Sequence, residues 1–167
     1  MRVKRYHKGF TLVEVLLAIV LVGLAIASLV VASGSFTKAN AAGTYLSTAE
    51  FLAEQIRELT VPLPVVDPET ENATFGPEAD ETTLAHYDDL DDFDGAVFSP
   101  PINAERATLN DFAAFTQQVT VQNVSAGNFE QVLADHGSYF VRVTVKVLLK
   151  SEEITSTSWV RAWYVEP

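Results

Sequence analysis

The chain has 167 residues, room for one domain or one domain with an appendage, and 48% of them are apolar, enough for a core. Eleven Lys and Arg against 22 Asp and Glu give a formal charge of −11, which argues against nucleic-acid binding by a general electrostatic route. The absence of cysteine excludes a disulfide framework, a thiol nucleophile and Cys-ligated zinc or iron–sulfur sites.

The charge is unevenly placed. Arg2, Lys4, Arg5 and Lys8 form a basic head without an acid, whereas residues 58–105 hold no Lys or Arg and carry 13 of the 22 acids. From Phe10 to Thr37 the only charge is Glu14, and Val15 to Ala32 is an uncharged, almost wholly apolar run. A membrane-crossing helix needs about 20 apolar residues. The run is apolar all round, which suits lipid or a helix bundle. The basic head orients it with the head in the cytoplasm and the acidic body across the membrane. A buried helix of a soluble core and an ordinary cleaved secretory signal are the competing readings. The second draws on Ala32, Ser33 and Gly34 near the end of the run, but the run is longer than a usual signal core. The length of the run speaks against the soluble helix, and Glu14 disagrees with the secretory reading, because a carboxylate inside a membrane segment costs roughly 2.5–3.5 kcal/mol and marks a functional position.

Lys8-Gly9-Phe10-Thr11-Leu12-Val13-Glu14 after a basic leader and before the apolar run resembles the class III signal of type IV prepilins and pseudopilins. The resemblance implies cleavage after Gly9 by a membrane prepilin peptidase on the cytoplasmic side, N-methylation of the new terminus Phe10, and an assembly role for Glu14 as the fifth mature residue. Glycine lets a protease grip the extended backbone. The freed amine and a neighbour's Glu14 would form an ion pair that low dielectric favours only when both partners are present. A leader 1–9 and a helix 10–60, membrane-spanning over 10–32, are therefore expected, followed by a domain 61–167 outside the cytoplasm.

The helix would reach about 77 Å at 1.5 Å per residue. Gly34 and Gly43 are its weak points, with melting or a bend expected near Gly34. Tyr45, Ala49, Leu52, Ile56 and Leu59 form one apolar stripe, Glu54 and Arg57 an i,i+3 pair, and Pro62 and Pro64 end the helix. Residues 61–116 are proline-punctuated and aperiodic, mostly loop with a short strand near Ala96–Ser99. Alternation predicts strands at Gln117–Val124, Tyr139–Lys150 and Glu153–Glu166, the first pairing with the second across a Gly127–Gly137 loop and the last two joined as a hairpin. The outcome is α+β, with an antiparallel sheet covering the projecting half of the helix, which is also the layout that the pilin resemblance implies.

Tyr87-Asp88-Asp89-Leu90-Asp91-Asp92-Phe93-Asp94-Gly95 places five carboxylates in seven residues. Asp88, Asp89, Asp91, Asp92 and Asp94 are candidate ligands for a hard cation such as Ca²⁺, although the spacing is not that of an EF-hand. The bland alternative is a solvated acidic loop with Asp side chains capping turns. Tyr87, Leu90 and Phe93 suggest a loop anchored to the core. The motif, following a helix that reads AEFLAEQIREL, resembles D-type minor pilins of mannose-sensitive haemagglutinin pili, a likeness that carries no role with it.

Catalytic patterns are lacking: only His86 and His136 lie beyond the leader, and there is no metalloprotease, nucleophile-elbow or phosphate-loop motif. No enzymatic activity is expected, and no cofactor other than calcium. Trp159 and Trp163 share a strand face, more in keeping with packing than with an adhesive patch. Asn72-Ala-Thr74 and Asn123-Val-Ser125 match the glycosylation pattern but are discounted in a bacterial protein, the source the leader implies. The expected protein is a minor type IV pilin-like subunit whose partners are prepilin peptidase, other pilin subunits and the inner membrane. The alternatives are a pseudopilin of a type II secretion system and a membrane-anchored periplasmic binding domain that does not polymerise. The acidic body speaks against a DNA-uptake role. Many pilins close a C-terminal loop with a disulfide, and this chain departs from that pattern.

Overall fold

The computed structural model describes residues 9–65 and 75–163. The basic leader residues, Asn72-Ala-Thr74 and the end of the last expected strand (164–166) lie outside them. The chain divides between Thr44 and Tyr45 into two compact units.

One helix, α1, runs from Leu12 to Thr60. Its most apolar stretch reaches a mean hydropathy of 3.1 with none of its residues buried, which makes it long and apolar enough to cross a membrane. Helical structure continues through Gly34 and Gly43, so the melting expected at Gly34 does not occur. The cost of each glycine is only about 1 kcal/mol, and helix propagation from both flanks absorbs it. The hydroxyls of Ser28, Ser35, Thr37 and Thr44 donate to carbonyls four residues earlier, at 2.8–3.2 Å, so polar side chains in this helix satisfy themselves locally.

The second unit is built on the other end of α1. Ala49, Leu52, Ile56 and Leu59 are buried as the stripe predicts, and Ala53 beside them, while Tyr45 stays half exposed with its ring edge-on to Phe115. Glu54 and Arg57 form their pair at 3.6 Å. The sheet contains β1 (Val97–Phe98), β2 (Phe115–Ser125), β3 (Asn128–Val132), β4 (Phe140–Leu149) and β5 (Glu152–Ala162). Its order is β1-β2-β4-β5, with β3 paired to the end of β2, and every pairing is antiparallel. Phe115, Gln117, Val119 and Val121 of β2 and Val141, Val143, Val145 and Val147 of β4 face inward onto the helix residues and form the core with them. This is the α+β, pilin-like arrangement expected from the sequence.

One departure matters. The Gly127–Gly137 stretch, expected as loop, contains β3, joined to β2 through Ala126 and Gly127. All five β3 residues are exposed, so no burial pattern marks them in the sequence. The β4–β5 hairpin turns at Lys150 and Ser151, both at positive φ (51° and 72°), the conformation that a two-residue turn between twisted strands demands.

A single buried side chain ties the layers together. Gln117 donates to the carbonyls of Leu52 (2.8 Å) and Ile102 (3.1 Å) and accepts from the Ile102 amide (2.8 Å). At the end of α1, Arg161 of β5 donates to the carbonyl of Thr60 at 2.8 Å, satisfying one of the orphan acceptors of the last turn.

Candidate functional site

At the start of α1, Gly9, Phe10 and Thr11 precede the helix, and Phe10 is 85% exposed. A side chain added to Gly9 would meet no atom within 4 Å, so nothing among the described residues demands glycine there. Thr11 and Glu14 close a capping box: the Glu14 carboxylate accepts from the Thr11 amide (3.1 Å) and hydroxyl (3.2 Å), and the Thr11 hydroxyl accepts from the Glu14 amide (3.2 Å). The capping box escaped the sequence reading, although Thr-x-x-Glu ahead of an apolar run is its usual signal.

The second candidate is the acidic connector. A one-turn 3₁₀ helix at Asp91–Phe93 buries Leu90 and Phe93 completely, and Phe93 packs against Tyr87 and Phe98 at 5.3 and 6.5 Å between ring centres. The loop is thus anchored to the core. Arg106, at φ 65°, donates to the carbonyls of Leu84, Ala85 and Tyr87 and holds the segment leading into it.

That anchoring drags carboxylates inside. Asp89, Asp91 and Asp92 are each 1% exposed, with ligand oxygens within 4.8 Å of one another. Glu78, Glu81 and Asp92 form a second triad of the same span, so Asp92 is common to both. The candidates therefore sort by place. Asp89, Asp91 and Asp92 come together. Asp88 is exposed and adds its backbone amide, which donates to Asp92 Oδ2 at 2.9 Å. Asp94 is exposed and turns to the sheet, where its Oδ1 accepts from the Val121 amide at 2.8 Å. Glu78 and Glu81 were not foreseen, because they lie six or more residues before the motif and only the fold brings them to it.

The amides of Asp88 and Asp89 bond Asp92 Oδ2, and the Asp92 amide bonds Asp89 Oδ1. Asp89 Oδ2, both oxygens of Asp91, Asp92 Oδ1 and Glu78 Oε1 are buried without a hydrogen-bond partner. Among the described residues no Lys, Arg or His forms an ion pair with Asp89, Asp91, Asp92, Glu78 or Glu81. Burial pushes Asp89 up to about 8, helped by the neighbouring Asp91 carboxyl, and pushes Asp91 up to about 6, with the neighbouring Asp89 acting against the rise. Burial and the neighbouring Glu81 carboxyl push Asp92 up to about 8. Burial and Glu81 push Glu78 up to about 7. Burial acts upward on Glu81 too, but the neighbouring Asp92 carboxyl and the hydrogen bond from the Glu78 amide hold it below the ordinary value.

The remaining candidates sit in ordinary surroundings. His86 is exposed and outside both triads. Trp159 packs on the core beneath the Arg57 guanidinium, while Trp163 packs at a tilt against Tyr139. Asn123 is buried, its Nδ2 donating to the Ser138 carbonyl and its Oδ1 accepting from the His136 amide, so it is not presented to solvent for a glycan.

Among curated proteins and solved structures none matches the chain. Residues 4–32 match the family described as the prokaryotic N-terminal methylation motif. The segment that opens α1 is a prepilin-type methylation signal leading into a helix able to cross a membrane, and it supports a type IV pilin-like protein.

Proposed function

We propose that the chain is a minor subunit of a type IV pilus-like filament. Prepilin peptidase cuts between Gly9 and Phe10, Phe10 is N-methylated, the protein rests in the inner membrane with residues 61–167 outside the cytoplasm, and the helices of neighbouring subunits then pack together. The observation that carries this reading is the methylation motif over residues 4–32, running into a helix whose apolar stretch is wholly exposed. The open space around Gly9 supports it, since the requirement for glycine then belongs to a protease and not to the fold. The protein has no catalytic task and binds no nucleic acid in this reading.

N-terminal mass spectrometry on protein from the native host tests it. The expected mature terminus is Phe10 carrying a methyl group. A terminus near Gly34 or an intact Met1 would refute it. The pseudopilin reading rests on the same motif, and a membrane-anchored domain that never polymerises is set against both by Glu14, a carboxylate that a simple anchor has no use for.

A further inference from the structure

We propose that the buried triad Asp89, Asp91 and Asp92 is a calcium seat, with Glu78 and Glu81 adding carboxylates through the shared Asp92. Four oxygens of the triad are buried and unpartnered, Asp91 contributing both of its own. A buried acceptor without a donor is costly, and a buried charge without a counter-charge more so. Sharing protons between neighbouring carboxyls would satisfy only some of these oxygens, whereas one cation would serve several at once.

The donor set selects the ion. It offers oxygen alone, which suits a hard cation and not zinc or copper. Calcium takes six to eight oxygens at about 2.3–2.6 Å, so two of its ligands can stand up to roughly 5 Å apart. The 4.8 Å span of each triad falls within that limit. Magnesium, at about 2.0–2.1 Å, demands a tighter octahedron and keeps several waters, a poor match to carboxylates crowded in the interior. Bound there, calcium would fasten residues 78–81 to the Asp91–Phe93 turn, which in turn is docked on β2 through Asp94 and the Val121 amide.

The test uses the full chain in detergent micelles. Thermal unfolding is followed in calcium, in magnesium at equal concentration, and in chelator. At a hundredfold excess over the dissociation constant, calcium should lower the unfolded population about 100-fold and raise Tm by about 5–10 °C. Asp91→Asn should abolish the rise. Asp94→Asn, which keeps an acceptor for Val121, should retain it. Terbium luminescence sensitised by Tyr87 and displaced by calcium gives a readout on the unaltered chain, should Asp91→Asn not fold. Equal melting in calcium and chelator, or no displaceable terbium signal, would overturn the site. An equal response to magnesium would overturn the choice of ion, and loss of the response in Asp94→Asn would overturn the ligand set.

Discussion

Glu14 has two partners to serve, one in its own chain and one proposed in a neighbour. In the uncut chain its carboxylate caps Thr11. Cleavage after Gly9 would place a new amine one residue before that cap, so the same carboxylate would face its own helix terminus and a neighbour's amine. The two roles separate chemically. Glutamine keeps a carbonyl that can accept from the Thr11 amide but carries no charge, while alanine loses both. Removing one partner of a buried ion pair costs about 3–5 kcal/mol, which at the lower end is about two orders of magnitude in an assembly equilibrium. Loss of a cap alone costs about 1 kcal/mol. Glu14→Gln and Glu14→Ala should therefore insert normally and both disappear from sheared filaments, as judged by immunoblot of membrane and filament fractions. Normal incorporation of Glu14→Gln would reduce Glu14 to a helix cap.

Among the elements, β2 is the hub, pairing with β1, β3 and β4 and placing Gln117 in the core. Gln117→Leu preserves bulk but strands the amide and carbonyl of Ile102, each a buried group worth about 1–3 kcal/mol when unsatisfied. A loss of about 2–4 kcal/mol is expected from urea unfolding followed by Trp159 fluorescence. A loss under 1 kcal/mol would mean that water reaches Ile102. What the sequence made legible follows from periodicity. Val141 to Val147 alternate because one face is buried, and Ala49 to Leu59 recur because one stripe is, so β4 and the end of α1 could be placed within a residue or two. β3 follows neither rule, since it buries nothing. Part of the acidic site was legible in Asp89, Asp91 and Asp92. Glu78 and Glu81 were not, because local spacing carries no information about which loop folds over which.

For the whole molecule, the charge budget depends on which acids are ionised. Without the four leader charges the mature chain would carry seven basic and 22 acidic side chains, formally −15. In chelator, Asp89 and Asp92 titrate at about 8 in the fold, against about 3.9 in an open chain. A folded value above the unfolded one gives a contribution that is fully present below the unfolded pKa and lost as pH rises through the folded one. The Tm of the chelated chain should accordingly fall between pH 5 and 9, and calcium should remove that fall. A chelated Tm that rises over this window would mean that these carboxyls are not buried. The attachments of α1 to the sheet have a mechanical consequence. Gln117 grips the helix at the Leu52 carbonyl and Arg161 at the Thr60 carbonyl, about 12 Å apart along the axis. A pull along this end of the helix therefore enters β2 and β5 as shear at two fixed points, and the helix cannot slip along the valine face without breaking both.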